Sequence, residues 1–102
     1  MPITISTTEK FNECTSKGNC IIDFYADWCR PCQMIAPVYE GLSKEYPDVQ
    51  FYKVNVDELD EVASKYEIRS IPAFVTFKDG ALQKTVFGAS KDNIKQLLTT
   101  LT

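Results

Sequence analysis

Histidine is absent from this sequence, and its 11 Lys and Arg residues are scattered rather than clustered. Each absence removes a class of function. A zinc site built on Cys29 and Cys32 would need two further ligands, and with no His the other two cysteines, Cys14 and Cys20, lack zinc-ribbon spacing, so no metal is expected. A formal charge of −3 with no basic face offers nothing to neutralise phosphates, which argues against nucleic acid as a partner. No stretch approaches the ~18 apolar residues of a membrane span. The N-terminus, Met1 to Thr8, lacks the basic start and apolar run of a secretory signal, so a reducing compartment, the cytoplasm, is the expected location.

What is present fits one compact domain spanning residues 1–102, long enough for one sizeable core and too short for two. Hydrophobic residues at 44% and charged residues at 25% exclude both disorder and a disulfide-stapled mini-fold.

Ile3 to Ile5 reads as a short strand, after which Ser6 and Glu9 stand in capping-box relation and open a helix with Phe11 and Cys14 on one face. Cys20 to Ala26 is a nearly continuous apolar run, the pattern of a strand covered on both sides, interrupted only by Asp23. Ile35, Val38, Tyr39, Leu42 and Tyr46 mark a long amphipathic helix from about Pro31, with Pro37 expected to kink it. Phe51 to Val56 alternates as a strand, and Leu59, Val62, Ala63 and Tyr66 mark another helix. Ala73 to Lys78 and Leu82 to Phe87 flank the hairpin signal Asp79-Gly80, and a helix capped by Ser90 carries Ile94, Leu97, Leu98 and Leu101. The order βαβαβαββα predicts an α/β fold, a mixed central sheet of five strands with helices on both faces.

The chemistry concentrates in Trp28-Cys29-Arg30-Pro31-Cys32. Cys29 stands where a buried strand hands over to a helix, so unpaired N–H groups and the positive end of the helix dipole favour its thiolate, the attacking form in disulfide exchange. Cys32 follows one helical turn later, within reach of a mixed disulfide on Cys29, and is the resolving thiol. Pro31 suits a first helical turn and stiffens the spacing of the two sulfurs. A Cys-X-X-Cys alone arises by chance often enough to be a moderate signal, and its place inside a βαβ pattern makes it strong.

With the run from Asp23 to Cys32 in view, and Ile71-Pro72 ahead of a strand, the sequence resembles the thioredoxin family over essentially its whole length. The resemblance implies the thioredoxin fold and a protein-disulfide reductase. It also implies no bound cofactor: electrons come from NADPH through a thioredoxin reductase, and the partners are that reductase and protein disulfides. A monomer is expected. By resemblance, Pro72 is cis and the backbone at Ile71 and Pro72 receives an extended substrate, while Trp28, Ile71, Gly88 and Ala89 border the apolar surface that binds it. Gly88-Ala89 also reads as a plain turn.

Asp23, buried in an apolar strand, should hold a raised pKa and relay a proton. Resemblance makes it the base for Cys32 and Lys53 its partner; a strand-end Asp reaching solvent beside a snorkelling Lys is the bland alternative. The sequence departs from the commonest family pattern at Arg30 for glycine, Tyr25 for tryptophan and Ala73 for threonine. Arg30 is expected to stabilise the Cys29 thiolate and make the pair a stronger oxidant, against the alternative of a solvated arginine. Cys14 and Cys20 read as small core residues, with a regulatory role left open. The acidic run Asp57, Glu58, Asp60 and Glu61 reads as a solvated helix start. A more oxidising exchanger and a redox-sensitive binding module remain as competing functions.

Overall fold

The computed structural model describes residues 2–101, so the outermost residues of the expected 1–102 domain, Met1 and Thr102, lie outside them. The chain runs β1 (Ile3–Ile5), α1 (Thr8–Thr15), β2 (Asn19–Tyr25), α2 (Arg30–Glu45), β3 (Gln50–Asn55), α3 (Asp60–Lys65), β4 (Ala73–Lys78), β5 (Ala81–Phe87) and α4 (Lys91–Leu101). This is the expected order, with boundaries shifted by a residue or so.

The strands form one sheet in the order β1-β3-β2-β4-β5. β1, β3 and β2 are parallel, joined by helical crossovers, whereas β4 runs antiparallel to both β2 and β5. The central strand β2 is covered on both faces, as its unbroken apolar run requires. Cys20, Ile22 and Phe24 enter the layer that Phe11, Leu59 and Val62 close, while Ile21 enters the opposite layer, closed by Ile35, Tyr39, Leu42, Ile94, Leu97 and Leu98. Asp23 shares the side of Ile21 by strand alternation and is buried there.

Local chemistry explains the ends of these elements. The cap of α1 is Thr7, whose hydroxyl accepts from the Lys10 N–H at 3.1 Å, and not Ser6 as the capping-box spacing suggested. Both residue types can cap; the one-residue shift buries Phe11 and Thr15 and leaves Cys14 only half-buried. Pro37 does not end α2, which runs on to Glu45. Asp79 and Gly80 both take positive φ, 50° and 88°, as a two-residue hairpin turn with the twist of its strands requires. Ser90 caps α4, accepting from the Asn93 N–H at 3.2 Å. Among the described residues no helix is long and apolar enough to cross a membrane.

Candidate active site

The C-terminal ends of β2 and β3 and the start of β4 meet at one rim of the sheet, since Tyr25 is level with Asn55 and Phe24 with Ala73. The loop from β2 to α2 places the two cysteines there. They are joined as a disulfide, with Cα atoms 5.3 Å apart. Cys29 is the N-cap of α2, with extended backbone, and its sulfur accepts from the Cys32 N–H at 3.3 Å. A sulfur thus takes the place usually held by a Ser or Asp oxygen. Arg30 and Pro31 occupy the first two helical positions, both exposed, and Cys32 follows in the same turn. The pair packs against Ala26, with Tyr25, Val56 and Ile71 around it.

The peptide bond between Ile71 and Pro72 is cis, as resemblance implied. The Ile71 carbonyl oxygen lies 3.8 Å from the Cys29 sulfur. Gly88, at a φ of 100° open to glycine, donates its N–H to the Pro72 carbonyl at 2.8 Å, which ties the end of β5 to the same rim. A groove of about 380 Å³ runs beside the pair, lined by Trp28, Val56, Ile68, Arg69, Ser70 and Ile71. Gly88 and Ala89 are exposed and do not line it.

Trp28 is 70% exposed, yet its ring is held: the indole N–H donates to Asp57 Oδ2 at 2.9 Å. This corrects the reading of the acidic run. Only Asp60 and Glu61 lie in the first turn of α3, while Asp57 sits in the loop before it and positions the tryptophan. The contact joins residues 29 apart in sequence, and no local pattern announces it. Asp57 is therefore a site residue that the sequence alone did not reveal.

Within β2, Asp23 is 1% exposed and stands directly across from Lys53 on β3, with Phe74 across from it on β4. Burial pushes its carboxyl up to about 7, with the Lys53 charge acting in the opposite direction. No hydrogen-bond partner reaches its Oδ1 among the described residues. The Lys53 ammonium makes no ion pair with it and lies instead over the Tyr25 ring, 4.5 Å from the centroid. Lys53 and Cys32 line one groove of about 170 Å³ with Tyr25, Asp27, Gln33 and Ala36, so solvent can approach Cys32 from this side. Of the two expected neighbours, Lys53 is thus brought to Cys32, and Asp23 lies level with Lys53 on the adjacent strand. Cys20 is buried, and burial pushes its thiol up to about 12, which suits a core residue.

The chain matches the family model described as Thioredoxin over residues 2–100. It is 40% identical to Thioredoxin-1 of Saccharomyces cerevisiae over 99 residues, covering 96% of each chain. The solved structure of a Plasmodium falciparum thioredoxin superposes with a TM-score of 0.94 at 39% identity, over 98% of this chain and 99% of that one. A chain solved in work on how the glutathione and thioredoxin systems resolve the thiol of yeast mitochondrial 1-Cys peroxiredoxin superposes with a TM-score of 0.93. It is 33% identical, with 98% and 95% of the two chains covered.

Proposed function

Because the chain belongs to the thioredoxin family, and is therefore a thiol–disulfide oxidoreductase without a bound cofactor, we propose that Cys29 is its attacking thiolate and Cys32 its resolving thiol. The observation that carries the assignment is the Cys32 N–H aimed at the Cys29 sulfur at a helix N-cap. Negative charge is favoured at that end of the helix, and the thiolate is the nucleophile. Cys29 attacks one sulfur of a substrate disulfide and expels the other as a thiolate. The Cys32 thiolate then attacks the Cys29 sulfur, forms the Cys29–Cys32 disulfide and releases the second substrate thiolate, so two electrons pass to the substrate.

Asp23 takes the proton of Cys32 in the resolving step; its ionisation near neutral pH, level with the Lys53 that shares a groove with Cys32, supports this role. Arg30 and Pro31 tune the pair. The substrate lies as an extended segment along Ile71 and Pro72, against Trp28, with Gly88 and Ala89 at the margin. The donor is an NADPH-dependent thioredoxin reductase, and the substrates are protein disulfides, a peroxiredoxin among the candidates by the context of one relative. We read the chain as a cytoplasmic monomer in keeping with its thioredoxin relatives, and its acidic balance with scattered Lys and Arg speaks against nucleic acid or a membrane surface as a partner.

Coupling the purified chain to NADPH, a thioredoxin reductase and insulin tests direction, donor and sulfur roles together. Cys32→Ser should accumulate mixed disulfides with substrate, and Cys29→Ser should form none. Trapping by Cys29→Ser instead would reverse the assignment, and partner capture by the parent chain without turnover would favour a binding module.

A further inference from the structure

Asp23 and Lys53 face each other from adjacent parallel strands, yet they do not form an ion pair. The carboxylate Oδ1 is left without a hydrogen-bond partner, while the ammonium sits 4.5 Å from the centroid of the Tyr25 ring. A buried carboxylate beside a cation of opposite sign would ordinarily draw it in. Something holds the cation elsewhere, and among the described residues the ammonium rests on the ring.

We propose that Tyr25 is a positioning residue: its ring seats the Lys53 ammonium and keeps that charge from closing on the Asp23 carboxylate. The attraction between a partly desolvated ammonium and a phenol face is sufficient for this, of the same order as the gain from an ion pair once the carboxylate's desolvation is counted. The ring stays neutral at physiological pH, because burial first, and then Asp27, Glu58 and Asp23, push the phenol above its ordinary 10. Other groups surround the two. Tyr39 from α2 senses the Asp23 charge, Cys32 shares one groove with Lys53 and Glu40 shares another, and the residue level with Asp23 on β4 is Phe74. Lys53 is the only cation among them, so the seat of its ammonium governs how readily Asp23 gives up and takes a proton. The inference rests on the reading of Asp23 as the proton acceptor for Cys32, but its test does not.

The test is an NMR titration of the Asp23 carboxyl carbon in the oxidised protein, in the parent chain, Tyr25→Phe and Tyr25→Leu. Tyr25→Phe keeps a π face and should titrate like the parent. Tyr25→Leu frees the ammonium, and the Asp23 midpoint should fall by about one pH unit, the scale of a nearby opposite charge. That fall should vanish when Lys53→Met is added. An unchanged midpoint in Tyr25→Leu, or a fall that survives Lys53→Met, overturns the proposal. If Tyr25→Leu does not fold, the parent chain decides alone: Lys53 Hε protons should be shifted upfield by the ring, and values like those of the exposed lysines overturn it. If the midpoint moves while the pH profile of mixed-disulfide resolution does not follow, the proton-acceptor reading fails and the seating of Lys53 stands.

Discussion

At the first turn of α2, Arg30 puts an exposed cation beside the sulfur that must carry negative charge. A unit charge about 7 Å from a thiolate contributes about 0.6 kcal/mol in water, and exposure favours that low value over the interior one. Stabilising the thiolate stabilises the reduced form and raises the potential. Arg30→Gly should therefore lower the reduction potential by about 13 mV, taking about 30 mV per 1.4 kcal/mol, in equilibration with a glutathione buffer. An unchanged or raised potential would show Arg30 to be a solvated side chain only. The neighbouring Trp28 illustrates a second residue-scale device. An exposed indole would sample many rotamers, and the bond to Asp57 leaves its apolar face fixed toward the groove without ordering cost at the moment of binding.

Elements carry the site through their ends, and besides its apolar face α2 sends one hydroxyl to two strands of the sheet. Tyr39 is buried, and its oxygen lies 2.8 Å from the Tyr52 carbonyl and 3.1 Å from the Ile21 carbonyl, so it bridges β3 and β2 from the helix above. Tyr39→Phe keeps the ring contacts with Phe51 and Phe74 and removes only the bridge. It should cost about 1–2 kcal/mol, read as a lower midpoint in urea at unchanged slope. The apolar spacing of α2 placed Tyr39 in the core from sequence, because periodicity reports which face is buried. It could not report what the hydroxyl meets, since the two carbonyls belong to strands on either side of the helix in the chain. Thr7 taking the cap from Ser6 has the same character: two residues are chemically eligible, and the packing of Phe11 on the sheet chooses. The two cysteines, Asp23 and the strand-to-helix junction were legible for the opposite reason, being defined by neighbours in one short segment. The cis bond at Pro72 came from resemblance, and the Trp28–Asp57 and Lys53–Tyr25 contacts appear only once the chain has folded back.

For the molecule as a whole, Asp23 sets a conflict between stability and chemistry. Its carboxyl titrates near 3.8 when unfolded and about 7 in the fold, so the folded state binds that proton more tightly. The associated stability is fully present below about pH 4, is lost as pH rises toward 7, and does not change further above it. Asp23→Asn removes the titration. Above pH 7 the variant should be more stable than the parent by roughly 4 kcal/mol in denaturant melts, with the gap closing toward pH 4. Its mixed-disulfide resolution near neutral pH should be slower in single-turnover kinetics. A variant no more stable at pH 8 would mean that the carboxylate is better solvated than its burial implies, and unaltered kinetics would remove it from the proton path.

β2 lies between β3 and β4, and both of these neighbours come later in the chain. During synthesis, Cys29 and Cys32 therefore leave the ribosome before the strand that supplies Lys53, the loop that supplies Asp57 and the turn that supplies Pro72. A growing chain holds both thiols but no buried carboxylate and no seat for a substrate, since Asp23 is shielded only when strands have closed on both its flanks. Catalytic competence is thus acquired only once β4 has been made, and a chain stalled before it is a dithiol rather than an oxidoreductase.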